Sequence, residues 1–580
     1  MTARPARTGF TKYTQPDGTV ILIQKHGDEW GHWETDDKGN VVAKDSDGFY
    51  RMVSGADAKT VADNAAARRR ARRAVAAQNA PKVHVALGKK HFLLILVQFK
   101  DKSFTYTHDD VNNMMNQKGY SDFGATGSGR DFYFDSSNGL FEPVFDVYGP
   151  VTLTKDYSYY GANDKNGDDK YPHIAVEEAC KALGNEIDFS NYDNDGDGKV
   201  DLVYMFYAGF GEADDESGDT NTIWPHQWNL SEAGNSFQLD GVTIDRYACS
   251  NERIGYGSSR GNLDGIGAIC HEFGHAMGLP DFYDTDYTTN GNAGGLYDFS
   301  TMCGGSYNND SRTPPYFNVE ERILLGWVSE SEAFQEFPAS GNYTIPALRP
   351  ENGQAVAYKT PTDLDGEYFV YECRGNQGWD AYLPGSGLVV YHVDKSSRTV
   401  SISGAGSVAA SYLWSNWHEL NAINENGKHP CFYVVPAASQ SSLNYQENQS
   451  NLPFPGAGNV KTYTATSWNN VEGDFALSNI AYASEQSTFT VTKAVALSGV
   501  DWYAIANPGN GSYKKDASFS LEILPPTATA ETPAVSWTYD ETAVSGSAIT
   551  LSSAGQHTVE ATLTFASGRK DIITLEITVQ

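Results

Sequence analysis

Two histidines stand four residues apart in the stretch GAICHEFGHAMGLPDFYD, residues 267–284, with a glutamate beside the first and an aspartate six residues beyond the second. On a helix this spacing puts His271 and His275 on one face, where two imidazole nitrogens converge on a tetrahedral metal at about 2.0–2.1 Å. Glu272 then projects beside the metal without binding it, placed to take a proton from activated water. Gly278 can adopt a left-handed conformation that ends the helix and swings the chain back. Asp281 is then the natural third ligand. Asp284 is a second carboxylate within reach, either the alternative ligand or a partner that orients one. Met302, in the Gly-rich YDFSTMCGGSYN, can form an apolar floor beneath the site. Polar residues on a half-buried helix are the competing explanation, but the added Gly, Asp and Met elements favour metal-assisted hydrolysis.

A helix that carries this motif can begin near Asp264, whose carboxylate can cap the free amides, and run to Gly278. Upstream elements alternate: the apolar run HFLLILVQF (91–99) is a buried strand, YPHIAVEEACKALG (171–184) a helix, and VDLVYMFYAGFG (200–211) a strand. After Trp327 the chain is strand-rich, with GEYFVYECR, GSGLVVYHVD and CFYVVPA between Gly, Asn and Asp turns. The opening segment, with its D-D-K-G-N and D-S-D-G turns, reads as short antiparallel hairpins. An Ala/Arg helix-former follows, carrying Arg68, Arg69, Arg70, Arg72 and Arg73, as a solvated helix face, a linker or a protease-sensitive connector. From about Leu497, evenly spaced short strands have the pattern of a small β-sandwich. The expected divisions are 1–85, 86–330, 331–495 and 496–580, and the fold class is α+β.

A second cluster, DNDGDGKVD, offers Asp193, Asp195, Asp197 and Asp201 at alternating positions with Gly198 at a sharp turn, a set of hard oxygens suited to structural Ca²⁺. The Lys199 carbonyl can add a ligand. Position 12 of an EF-hand loop would be Tyr204 rather than a bidentate glutamate, so the loop is not a full EF-hand. In WPHQW, His226 lies between Trp224 and Trp228, where it can line a cleft or pack in the core.

The formal charge of -31 opposes phosphate backbones and anionic surfaces, which excludes nucleic acid as the expected partner. No apolar run is long enough for a transmembrane helix, and the start MTARPARTGF has no apolar h-region, so no signal peptide is visible. Cys180, Cys249, Cys270, Cys303, Cys373 and Cys431 lie far apart without a C-x-x-C pair; they allow up to three bridges and show none. Cys270 and Cys303 fit small core residues beside the motif.

At HEFGHAMGLPDFYD, DFSTMCGGSYN, ERILLGW, FDVYGPVTL, DNDGDGKVDLVYMFYAG and WPHQW the chain resembles the immune inhibitor A family of secreted bacterial zinc metallopeptidases, related to the metzincins. The resemblance runs from roughly residue 15 to 490 and includes GWDAYLPGSGLVVYHVD. It implies a metzincin-like catalytic domain, zinc on His271, His275 and Asp281, Glu272 as general base and Met302 as Met-turn. Tyr297, just before that turn, is either an added oxyanion donor or a buried structural tyrosine. The family's latency-conferring N-terminal propeptide recasts the first segment: QKHGDEWGHW resembles the propeptide hairpin, Asp28 or Glu29 could occupy the open zinc position, and the basic run becomes an activation region. The terminal strands resemble immunoglobulin-like modules that serve attachment to a cell surface or matrix.

The reading is thus a zinc endopeptidase acting on proteins or peptides, secreted or at the cell surface of a bacterium and made as a latent proform with structural calcium. The alternative from another class is a calcium-stabilised surface adhesion protein with a vestigial peptidase core.

Overall fold

Residues 92–97 alternate between two cores: Phe92, Leu94 and Leu96 join one apolar cluster, Leu93, Ile95 and Val97 another, and all are buried. A strand covered on both faces has no polar side, hence the unbroken apolar run. It is Gly88–Gln98 in a six-stranded sheet ordered Thr2–Ala3, His226–Asn229, Arg246–Arg253, Val203–Phe210, Gly88–Gln98, Phe141–Thr152. The last four pair in parallel, whereas His226–Asn229 runs antiparallel and forms an edge onto which Thr2–Ala3 adds a further antiparallel strand. The computed structural model of the chain describes residues 2–29, 31–65, 67, 86–164, 167–286, 293–402, 406–438, 448–493, 503–507, 512–525, 532–566 and 570–580.

Helices cover both faces. Pro172–Ala182 starts with a proline in its first turn, where no intrahelical donor is lost, and buries Ala175, Val176, Ala179 and Cys180 against one face. Gly267–Ala276, the motif helix, packs Ile269, Cys270 and Phe273 against the other. His108–Asn116 and Gly129–Ser136 join that side, each started by a capping box, Thr107 with Asp110 and Ser128 with Asp131. Such a cap contributes about 1 kcal/mol.

The opening segment forms a five-stranded antiparallel meander, Thr11–Thr14, Val20–Asp28, Gly31–Asp36, Val41–Lys44 and Tyr50–Met52. Its two sequence turns close the same way. Asp36 accepts from the amides of Lys38 and Asn40, Asp45 from those of Asp47 and Phe49, with Gly39 and Gly48 left-handed at φ 81° and 83°. Residues 58–65 are helical; the arginines 68–73 lie outside the described residues.

The strand-rich stretch after Trp327 builds a five-stranded sheet, ordered Phe334–Gln335, Ala357–Pro361, Glu367–Arg374, Gly387–Asp394 and Phe432–Val435. Its Tyr368, Val370, Val389, Tyr391 and Phe432 share one apolar cluster with the motif helix. Residues 1–473 with 477–490 accordingly form one compact unit, and the divisions expected near 85 and 330 fall inside it. The other unit, 474–476 with 491–580, has its own core around Phe519, Leu551, Val559, Leu563 and Ile577, closed by a five-stranded sheet and two short strand pairs. All six cysteines are buried and free. Among the described residues no helix is long and apolar enough to cross a membrane.

Candidate metal centre

The motif helix starts at Gly267, three residues later than Asp264, and Ile266 at its cap offers no side-chain acceptor. Asp264 is therefore not the cap; it accepts from Gly265 N at 2.8 Å and from Asn251 Nδ2 at 3.2 Å. At the other end Gly278 is left-handed at φ 108°, and the amide of Leu279 returns to Gly274 O at 3.0 Å. That turn carries Asp281 back beneath the helix.

His271 Nε2, His275 Nε2 and Asp281 Oδ1 form a near-equilateral triangle with sides of 3.1, 3.2 and 3.3 Å. Tetrahedral ligands bonded at about 2.0–2.1 Å lie about 3.3 Å apart, so the triangle has the size a metal such as zinc requires. The proton inventory agrees. His271 Nδ1 lies 2.8 Å from Thr301 O and His275 Nδ1 2.7 Å from Leu279 O, which assigns the ring protons to Nδ1 and turns both Nε2 lone pairs inward. Asp281 Oδ1 is buried with no hydrogen-bond donor. Three acceptors converging in a fully buried space need a cation.

Two supports fix this geometry. Met302 is fully buried under the helix, so close to Gly274 that a Cβ there would stand 2.6 Å from its Sδ and would displace the end of the methionine. Asn421 binds Asp281 twice, its Nδ2 donating to Oδ2 at 2.6 Å and its Oδ1 accepting from the Asp281 amide at 2.9 Å. The sequence carried no signal for Asn421, which lies 140 residues away in the downstream segment.

Glu272 follows His271 and is fully buried; burial and then the charge of Asp281 push its carboxyl well above the carboxylate range. Its Oε1 accepts from the main-chain amide of Arg4 at 2.8 Å. The first strand thus lies along the edge strand, Thr2 opposite Gln227 and Ala3 opposite His226, and reaches the candidate base. The Trp224 indole donates to Arg4 O at 3.0 Å. The Arg4 side chain is buried among Ser306, Tyr307 and Ser311, beside Asp264. Asp28 and Glu29 are buried in the neighbouring hairpin, and the charge of Glu29 reaches Glu272. Neither belongs to the converging group.

The remaining sequence candidates separate. Asp284 accepts from the amides of Asp286 and Ala293 and so closes its own loop. Tyr297 is half-buried on left-handed backbone at φ 53°, its ring against Gly294, and burial pushes its hydroxyl up to about 12. His226 is a core residue of the edge strand, with Nδ1 on Trp224 O and Nε2 on Tyr247 Oη, both at 2.7 Å; burial lowers it to about 4. Asp193, Asp195 and Asp197 bring carboxylate oxygens within 4.8 Å of one another, but Asp201 stands outside that group, buried and accepting from Asn194 Nδ2. The trio's oxygens accept from the amides of Asp197, Gly198 and Lys199.

Residues 82–319 match the family model for the immune inhibitor A peptidase M6 catalytic domain, a narrower span than the resemblance at 15–490. Immune inhibitor A of Bacillus thuringiensis subsp. alesti is 28% identical over 198 residues, covering 31% of this chain and 28% of that protein. Pre-pro-metalloprotease PrtV of Vibrio cholerae serotype O1 is 28% identical over 220 residues, 32% of this chain and 23% of that protein. The match thus spans less than a third of either relative's length. The crystal structure of OgpA from Akkermansia muciniphila aligns over 86% of this chain and 96% of its own at 9% identity, with a TM-score of 0.21. The triangle of His271, His275 and Asp281 lies inside the span, residues 82–319, over which the chain matches the immune inhibitor A peptidase M6 catalytic domain.

Proposed function

We propose that the chain is a secreted zinc endopeptidase with a metzincin-like catalytic domain, held latent by its own N-terminal segment. The observation that carries this is the convergence of His271 Nε2, His275 Nε2 and Asp281 Oδ1 on one buried point, with Glu272 on the same helix. Zinc bound there supplies a Lewis acid that activates water and polarises the scissile carbonyl. Glu272, on the same helix, would hold the proton taken from that water and return it to the leaving nitrogen. The edge strand His226–Asn229 offers main-chain hydrogen bonds to an extended substrate, as it does to Thr2–Ala3. Tyr297 serves as an additional oxyanion donor.

Latency follows from the same contacts. While the Arg4 amide donates to Glu272 and the first strand fills the edge, neither the base nor the edge is open to a substrate. The name of PrtV, a pre-pro-metalloprotease, supports a leader and a pro-segment by analogy. The C-terminal unit is in this reading an immunoglobulin-like module that serves attachment or spacing.

The test is casein hydrolysis by the full chain before and after limited nicking in the basic run. The intact chain should be silent. Nicking should release activity that a zinc chelator abolishes and added zinc restores. Activity in the intact chain that equals the nicked one refutes latency.

A further inference from the structure

The Arg4 side chain is held as a guest in a built pocket. Nη2 donates to Ser306 O at 3.0 Å and to Ser311 Oγ at 2.6 Å, Nε donates to Ser306 Oγ at 3.3 Å, and Nη1 lies 3.9 Å from Asp264 Oδ2. The guanidinium stacks 3.3 Å from the Tyr307 ring centroid, and no part of the residue is exposed. Three oxygen acceptors and an aromatic face hold this planar cation, and Asp264 adds charge without a direct hydrogen bond, since Nη1 has none; the pocket is shaped for a guanidinium.

The walls belong to the catalytic domain. Asp264 precedes the motif helix, and Ser306, Tyr307 and Ser311 follow Met302. They are locked together: Gly267 N donates to Ser311 O at 2.7 Å, and a Cβ on Gly265 or Gly267 would stand 2.1 Å from Ser311 O or 1.9 Å from Ser306 O. Asn309, Asp310 and Ser311 are all left-handed, φ 52°, 53° and 65°, strain of the kind that binding sites store. Asp214, buried with no hydrogen-bond partner on either carboxylate oxygen, adds its charge to that of Asp264 around Arg4. When the first strand leaves, this acidic pair loses its counter-charge, and a second cation restores it.

The direction of the strand identifies the subsite. In hydrolysis water oxygen bonds to the acyl carbon, the C–N bond breaks, and Glu272 delivers a proton to the departing nitrogen. The Arg4 nitrogen stands 2.8 Å from Glu272 Oε1, where that departing nitrogen must be, and Thr2–Ala3 lie on the acyl side along the edge strand. We propose that the pocket of Asp264, Ser306, Tyr307 and Ser311 selects arginine as the substrate residue that contributes the scissile nitrogen, so that the nicked enzyme cuts X–Arg bonds. This rests on the peptidase reading. It also makes the chain's own Arg68–Arg73 run a substrate for a second, already nicked copy.

The probe is a set of blocked hexapeptides, acetyl-Ala-Thr-Ala-Xaa-Ala-Gly-amide with Xaa arginine, leucine or glutamate, given to the chain nicked in its basic run with trypsin, once the trypsin has been inhibited. Products are read by mass. Residual trypsin cuts after arginine and the proposed activity before it, and nicked Glu272→Gln is the blank. The Ala–Arg bond should be cut at least about tenfold faster in kcat/KM than Ala–Leu, with Ala–Glu slowest. Asp264→Asn and, independently, Ser311→Ala should each lower the Arg-to-Leu ratio by about tenfold, so misfolding of one leaves the other to decide. If casein is cut but Arg and Leu peptides are cut alike, or if neither substitution changes the ratio, the pocket is only an anchor for the first strand and the proposal is overturned. If not even casein is cut beyond the blank, the peptidase reading fails and this proposal falls with it.

Discussion

Two clusters in this chain bring three metal-ligating groups together, and they are built in opposite ways. His271, His275 and Asp281 are buried, and two of their three supports come from outside the helix and its turn: Thr301 O behind the His271 ring and Asn421 behind the carboxylate, with Leu279 O of the turn behind His275. Asp193, Asp195 and Asp197 sit on a partly exposed loop of nine residues and accept hydrogen bonds from its own amides. In the first case the fold holds acceptors against one another at 3.1–3.3 Å, an arrangement that needs a cation. In the second the loop satisfies its own carboxylates. Preorganisation by distant residues distinguishes a site of chemistry from a sequence motif of similar density.

Removing ligands gives the largest contrast. His275→Ala or Asp281→Ala should abolish casein hydrolysis by the nicked enzyme, by about a thousandfold or more, and release the metal. Asp195→Asn should leave hydrolysis within about twofold and change stability by no more than about 1 kcal/mol; metal analysis and thermal unfolding check both. A loss of activity with Asp195→Asn equal to that with Asp281→Ala would erase the distinction.

The supports come next. Asn421→Ala removes a group that touches no metal, yet it should weaken metal affinity about 10–100-fold, measured by chelator competition. Gly274→Ala drives a Cβ toward Met302 Sδ and should cost about 1–3 kcal/mol of stability. Either variant behaving as wild type would show that the triangle does not depend on the remote scaffold.

A separate effect concerns pH at the edge strand beside the triangle. His226 is buried neutral, lowered to about 4, while the unfolded residue takes its proton near 6.5. Between those values the unfolded state binds more protons, so stability falls as pH drops from about 6.5 to 4, by up to about 1.4 kcal/mol per pH unit from this group. Denaturant midpoints across that window should show the slope, and His226→Gln should flatten it.

The parts of the fold legible in the sequence are those written in local pattern. The 91–99 run, the 171–184 helix and the Asp-Gly turns at 36–40 and 45–49 each carry their own period or turn chemistry, and each forms within a few residues of its expected place. His271, Glu272, His275, Asp281 and Met302 were legible because one helix and one turn position them. Arg4 and Asn421 were not, because each matters through contacts 268 and 140 residues away that leave no local trace. The same physics moved Asp264 from cap to pocket wall: a carboxylate three residues ahead of a helix caps only if the backbone between permits it, and here Arg4 and Asn251 claim it.

The central claim is that Glu272 works beside a metal that His271, His275 and Asp281 hold without it. The most direct measurement is zinc content together with casein hydrolysis for the nicked wild type and nicked Glu272→Gln. The account predicts one zinc per chain in both and cleavage in the wild type alone, reduced about a thousandfold or more in the variant. Undiminished cleavage by Glu272→Gln, or a wild type that cuts without zinc, would contradict it.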